Sequence, residues 1–217
     1  MDHLPLFPLG LVLLPGEPVP LHIFEPRYRE MVAHCLREDA PFGIVYASEE
    51  GLADVGTTAR IRRVVTRYED GRSDIVVVGE SRFRLARVNR DQSYLTADVS
   101  PLEDAPPEAS DASVRERVVT QHMKLVEMAG ETPRPAIYEP PPEVSYTVGR
   151  SAGFELEQKQ AFLEMPSEGA RLAFLAEHFS AIIQRVRRAK HLHELSRGDG
   201  HAGGLPEPPT APPPPEA

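Results

Sequence analysis

The sequence predicts an α+β protein: a β-rich subdomain over residues 1–102, a linker over 103–111, a small helical bundle over 112–195 and a Gly/Pro-rich tail over 196–217. Three observations carry this reading. Short apolar runs between Leu4 and Leu102 are broken every few residues by Gly, Pro, Asp and Ser, the pattern of strands and turns. The segment around Pro106 and Pro107 then marks a shift in composition. Beyond it, apolar residues recur at helical spacing, most clearly Leu172, Leu175, Phe179, Ile182, Ile183 and Val186.

Strands are expected near Leu4–Leu9, Val19–Ile23, Phe42–Ala47, Arg60–Tyr68, Asp74–Val78, Phe83–Arg90 and Tyr94–Pro101. The run Glu69-Asp70-Gly71-Arg72 between two apolar segments predicts a hairpin, because glycine takes the positive φ that a tight reversal requires. One helix interrupts the strands. Pro26 suits a first helical position, and Tyr28, Met31, Val32, Cys35 and Leu36 follow at helical spacing.

After the linker, helices are expected over 112–129, 144–151, 155–163 and 167–195. Pro133, Pro135, Pro140, Pro141 and Pro142 each remove a backbone donor, so the stretch they occupy reads as an exposed loop without regular helix or strand. The proline-rich terminus has almost nothing to bury and reads as a disordered tail of polyproline II character.

Composition excludes several function classes. The longest early apolar run, residues 9–14, is far shorter than the roughly 20 residues of a spanning helix, and the first residues do not look like a secretory leader. A cytoplasmic protein with no membrane partner is expected. The single cysteine, Cys35, rules out an internal disulfide and a multi-cysteine zinc site. A net charge of −9 argues against indiscriminate nucleic-acid binding.

The runs Leu4-Pro5-Leu6-Phe7-Pro8-Leu9, Leu14-Pro15-Gly16, Pro20-Leu21-His22-Ile23-Phe24 and Glu25-Pro26-Arg27-Tyr28, in this order and spacing, resemble the opening of the Lon protease N-terminal (substrate-binding) domain family. Gly79-Glu80 with Arg82-Phe83-Arg84, and Lys159-Gln160 with Phe162-Leu163-Glu164 and Arg171-Leu172, resemble later stretches of that family. The resemblance implies a PUA-like pseudo-barrel followed by a helical bundle. It also implies a non-catalytic module that captures unfolded or degron-bearing polypeptide in a stand-alone form lacking the ATPase and protease domains, and that needs no cofactor. An ATP-dependent protease or chaperone in trans would be its partner. No G-x-x-x-x-G-K-[ST] phosphate loop occurs in the sequence.

Residue by residue, the resemblance gives Pro15, Gly16, Glu25, Pro26, Arg27 and Tyr28 structural roles. Phe7, Leu11, Leu13, Ile23 and Phe24 are the candidates for contacting peptide, with plain core as the competing reading. An exposed strand edge is expected to pair with an extended client by β-augmentation. The alternative function is RNA contact. Between Arg60 and Arg90 nine arginines face four acids, and Arg60, Arg62, Arg63, Arg82 and Arg84 would form a basic patch.

Catalytic constellations are weak. Cys35 follows His34, but neighbours on a helix point about 100° apart, so a buried structural thiol is expected. His191 and His193 are badly spaced for a shared metal on a helix, and no G-x-S-x-G elbow marks a serine nucleophile.

Overall fold

A computed structural model describes residues 3–108, 111–139 and 144–198, with side chains described as far as His191. The element order is β1 (Leu4–Leu9), β2 (Pro18–Ile23), α1 (Pro26–Glu38), β3 (Phe42–Ser48), β4 (Gly51–Arg67), β5 (Ser73–Asn89), β6 (Leu95–Pro101), α2 (Asp111–Met128), α3 (Val144–Gly149), α4 (Leu156–Glu164) and α5 (Glu168–Gly198). A six-stranded mixed sheet with five helices is an α+β fold, as the sequence predicts.

The sheet order is β2-β5-β4-β3-β1-β6, and a further β5–β6 pairing brings the last strand back onto β5. Among the described residues, only β1 and β3 pair in parallel. Closure is possible because β4 and β5 are long, 17 residues each. Three register shifts interrupt their pairing, and such bulges bend and twist a strand.

Two strand expectations change. β4 begins at Gly51, well ahead of Arg60, because Gly51, Leu52, Gly56, Thr57 and Thr58 pair with β3 where the sequence reads as punctuation. The segments expected as two strands, Asp74–Val78 and Phe83–Arg90, are one strand, β5. Gly79 does not break it. Its N–H donates to Glu17 O (3.1 Å) and its carbonyl accepts Gly16 N–H (2.8 Å), so the missing side chain makes room for the Leu14–Glu17 turn.

Inside the closed sheet, α1 contributes Tyr28, Met31, Val32 and Cys35 to a core with Phe7, Leu13, Phe42, Ile44, Ile75 and Val77. Leu36, expected on that face, is 39% exposed. The predicted hairpin is present, with Gly71 at φ +84° and its N–H bonded to Tyr68 O at 3.0 Å. Among the described residues, the proline-rich stretch carries a short 3-10 turn, Pro135–Tyr138, that buries Tyr138 where an exposed loop was expected.

The chain divides into compact units at 1–179 and 180–217. The helical part of the first unit is held by aromatic packing. Phe162 lies 5.1 Å from Phe154 and 6.1 Å from both Tyr146 and Phe174, ring centre to ring centre. In the second unit α5 continues to Gly198, past the expected start of the tail; the rest of that tail lies outside the described residues.

Close approach of strands makes one position diagnostic. A Cβ at Gly56 would lie 2.5 Å from the Phe83 ring and 2.6 Å from the Ile44 carbonyl oxygen. Gly56→Ala is therefore expected to lower the free energy of unfolding by about 1–3 kcal/mol, read as a lower urea midpoint.

Candidate functional site

Three places can carry function: the junction between sheet and helices, the outer face around β2 and the β4–β5 hairpin, and the buried His122 with its polar partners.

At the junction sit two buried guanidiniums. Arg82, on β5, donates to the carbonyls of Leu163 (2.6 Å) and Met165 (2.7 Å) and to Asp104 (2.5 Å). Arg171, near the start of α5 and fully buried, donates to both oxygens of the same Asp104, to Ser145 Oγ (2.9 Å) and to Glu168 (3.1 Å). It also lies 4.2 Å over the Tyr146 ring. Burial alone would push the Arg171 pKa down, but the hydrogen bonds and charge of Asp104 and Glu168 raise it instead.

A few residues away, the signature turn is clamped from the helical side. Arg150 Nη2 donates to Pro15 O (2.9 Å), and Lys159 pairs with Glu17 (2.8 Å) while both are largely buried. Gly16 has φ +68° and lies under the Arg150 guanidinium, so any side chain there would collide with it. The adjoining cleft, about 320 Å³, is lined by Glu80, Glu103, Asp104 and Arg82 among others. Among the described residues, this junction is a clamp of buried charges and hydrogen bonds.

Of the five peptide-facing candidates, Phe7, Leu13 and Ile23 are core residues, 5%, 1% and 1% exposed. Leu11 is half-buried and Phe24 is 58% exposed. Phe24 does not stand alone. The His22 ring stacks on it at 6.0 Å and meets Tyr68 edge-on at 5.9 Å. Asp74 fixes both partners, accepting from His22 Nδ1 at 2.6 Å and from Tyr68 Oη at 2.7 Å. These two hydrogen bonds hold the Asp74 carboxyl below its ordinary range. Arg72 lies over Tyr68 at 5.1 Å, and Val65 on the same hairpin is 56% exposed.

The strand edges are poor templates for β-augmentation. β2 has no described partner beyond β5, yet Pro18 and Pro20 carry no N–H and must turn that side outward, which removes two donors from the edge. Past Ala59, β4 is open on its other side, but bulges and exposed arginines distort and charge it.

The basic patch is dispersed. Arg82 is an internal residue of the junction, and Arg60 pairs with Glu80 and Asp39, which leaves Arg62, Arg63 and Arg84 exposed. Arg27 pairs locally with Glu25 at 2.7 Å and lies over the Tyr28 ring, so it spans no junction. Glu25 caps α1 through its carbonyl, which accepts Tyr28 and Arg29 N–H, and Pro26 opens the helix. Tyr28 packs on Phe7 with ring centres 4.1 Å apart.

Cys35 is buried and its thiol is pushed up to about 11 by burial, the opposite of an activated nucleophile. His193 lies beyond the described side chains, and no group of acids, histidines and cysteine among the described residues is arranged to hold a metal. Besides the exposed His22–Asp74 pair, the other histidine in a polar constellation is His122, whose Nδ1 meets Tyr138 Oη (2.7 Å) and Nε2 meets Ser151 Oγ (3.1 Å). Neither partner is a carboxylate, and burial lowers the His122 pKa from its ordinary 6.5.

This mixed-sheet α+β arrangement, clamped to its helices by charge, is the class of domain found at the N-terminus of Lon proteases. Residues 3–180 match the family described as the ATP-dependent protease La (LON) substrate-binding domain. The Lon protease of Parabacteroides distasonis is 27% identical over 155 residues, covering 68% of this chain and 18% of that protein. Lon protease 2 of Myxococcus xanthus is 29% identical over 215 residues, covering 90% of this chain and 26% of that protein. The chain thus spans about a quarter or less of the length of these curated relatives.

A crystal structure of a Lon N-terminal domain protein from Xanthomonas campestris aligns with a TM-score of 0.60 at 27% identity, covering 81% of this chain and 97% of that one. The N-terminal domain of a Mycobacterium avium complex Lon protease aligns at 0.65 and 18% identity, over 82% and 98% of the two chains, a likeness of fold. The chain belongs to the Lon substrate-binding domain family.

Two outcomes are expected. Asp104→Asn, which leaves two buried guanidiniums short of a counter-charge, should cost about 3–5 kcal/mol of stability in urea unfolding. Arg62→Ala, on the exposed edge, should stay within about 0.5 kcal/mol.

For His122 the sign follows from its lowered pKa. The unfolded chain takes up a proton below 6.5 that the folded chain refuses. Its contribution is therefore whole above 6.5 and is lost as pH falls toward the lower folded value. The stability gap between wild type and His122→Gln should narrow between about pH 7.5 and about pH 5.

Proposed function

We propose that this chain recognises unfolded or degron-bearing polypeptide through the exposed aromatic face formed by Phe24, His22 and Tyr68. The observation that carries the proposal is Phe24, a large apolar side chain left 58% exposed beside two ordered rings, in a member of a substrate-binding family. Scattered single apolar residues are ordinary on a surface. A stacked set with Val65 on the adjoining hairpin is a contact platform of the kind aromatic anchors provide.

Recognition here works through side chains. Aromatic rings offer large apolar area with few rotatable bonds, so little entropy is lost on contact, and the blunted edges add no backbone pairing. Binding should be modest in affinity and weakly dependent on sequence. Delivery of the client to an ATP-dependent protease or chaperone acting in trans, in the cytoplasm, is part of the same proposal.

The test is a fluorescence-anisotropy titration with a labelled, permanently unfolded polypeptide. Wild type should saturate with little salt dependence, and Phe24→Ser/Tyr68→Ser should bind about tenfold more weakly with an unchanged unfolding midpoint. Unaltered affinity in the double variant would remove this face from the interaction. A steep loss of affinity with salt would point instead to phosphate contact by Arg62, Arg63 and Arg84.

A further inference from the structure

The closed sheet carries a second surface, on the side where α4 crosses the β3–β4 hairpin. A cleft of about 440 Å³ opens there, walled by Glu50 and Asp54 on the hairpin, Glu157 and Glu164 on α4, and Tyr46 on β3. No lysine, arginine or histidine lines it. Four carboxylates around one opening, on an already acidic chain, produce a strongly negative local potential.

A separate observation points to a missing donor. Gln160, 92% buried given its 8% exposure, forms part of the cleft wall. Its Nε2 group is fully engaged, donating to Val55 O (3.0 Å) and to Glu164 (2.7 Å). That fixes the amide orientation, since the flipped form would turn Oε1 against a carbonyl and a carboxylate. Oε1 consequently has no hydrogen-bond partner. A buried amide oxygen without a donor is costly.

The chemistry of the occupant follows. The carboxylates form no group able to hold a metal ion among the described residues. They are spread around the opening, an arrangement suited to a cation that is itself extended and carries several donors. A guanidinium does so with five N–H groups and a planar face that can stack on Tyr46.

We propose that this cleft is a subsite for a basic side chain, arginine above all, of the polypeptide that the protein recognises. The inference rests on the polypeptide reading given above and adds a sequence preference to it. A client would be held by apolar contact at Phe24 and by charge at the Glu50/Asp54/Glu157 cleft. Clients with a basic residue would then be favoured over neutral or acidic ones.

The experiment uses the full chain and two labelled unfolded peptides, identical except that a single arginine in one is citrulline, its neutral isostere, in the other. Wild type should bind the arginine peptide about tenfold more tightly. Asp54→Asn/Glu157→Gln, both on exposed positions, should abolish that preference and leave the citrulline peptide's affinity unchanged. Gln160→Leu should weaken arginine binding in the same direction.

Equal affinity of wild type for the two peptides, or a preference that survives in Asp54→Asn/Glu157→Gln, would overturn the subsite while leaving polypeptide recognition standing. Failure of wild type to bind either peptide would overturn both.

Discussion

The structure depends on one carboxylate placed between two arginines. Asp104 lies in the segment where strands give way to helices, and it accepts from Arg82 on the sheet and Arg171 on α5. A guanidinium removed from water costs several kcal/mol unless its charge and its N–H groups are both answered. Here both are answered: two cations meet two anions, Asp104 and Glu168, and the remaining donors reach Ser145 Oγ and the carbonyls that end α4. Neither guanidinium could be satisfied by sheet or helices alone, so the charges set the register of one against the other. A greasy contact would tolerate sliding; this one does not.

In the proposed reading, that choice leaves recognition to the outer face. The junction is filled by charge, with Arg150 and Lys159 gripping the Pro15–Glu17 turn, and the cleft beside it is walled in part by Glu80, Arg82, Glu103 and Asp104. Large apolar area is left instead on the outer face, at the end of β2 and along the β4–β5 hairpin. The positions there are held by polar means: Asp74 fixes two rings by hydrogen bonds, and the Arg29 side chain covers Gly71 at the hairpin tip. The open edges nearby are made unattractive by Pro18, Pro20 and the bulges of β4, which keeps an exposed aromatic surface from nucleating strand-to-strand aggregation.

Local chemistry was legible in the sequence where local chemistry decides. The Pro26 helix start, the Gly71 turn, the burial of Cys35 and the boundaries of most helices need no distant partner. The extent of β4 and β5 was not legible, because Gly51–Ala59 carries weak strand propensity and is held as strand by pairing with β3. Arg82 misled for a related reason. Beside Ser81 and Arg84 it reads as a solvated strand arginine, and only the arrival of α4 and α5 over that face makes it internal. Arg171, in the apolar stripe that leads into Leu172 and Leu175, held the one available signal: a lone charge in a buried face demands a buried partner. Asp104 gave none, since an acid in a proline-rich linker is ordinary.

In the proposed reading, the two surfaces divide labour in a way that recognition of varied clients requires. Aromatic contact through rings locked by Asp74 loses little conformational entropy and accepts many sequences, which gives affinity without much discrimination. Discrimination needs a feature that penalises the wrong chain, and the proposed carboxylate-walled subsite would do so by repelling acidic segments as well as attracting basic ones. Both surfaces ride on the same closed sheet, whose β4 and β5 run through the hairpin bearing Tyr68 and the wall bearing Asp54. Their separation is therefore fixed by the barrel itself. A client must be extended to touch both, and a folded protein, whose apolar and basic residues are held in its own geometry, meets that requirement rarely.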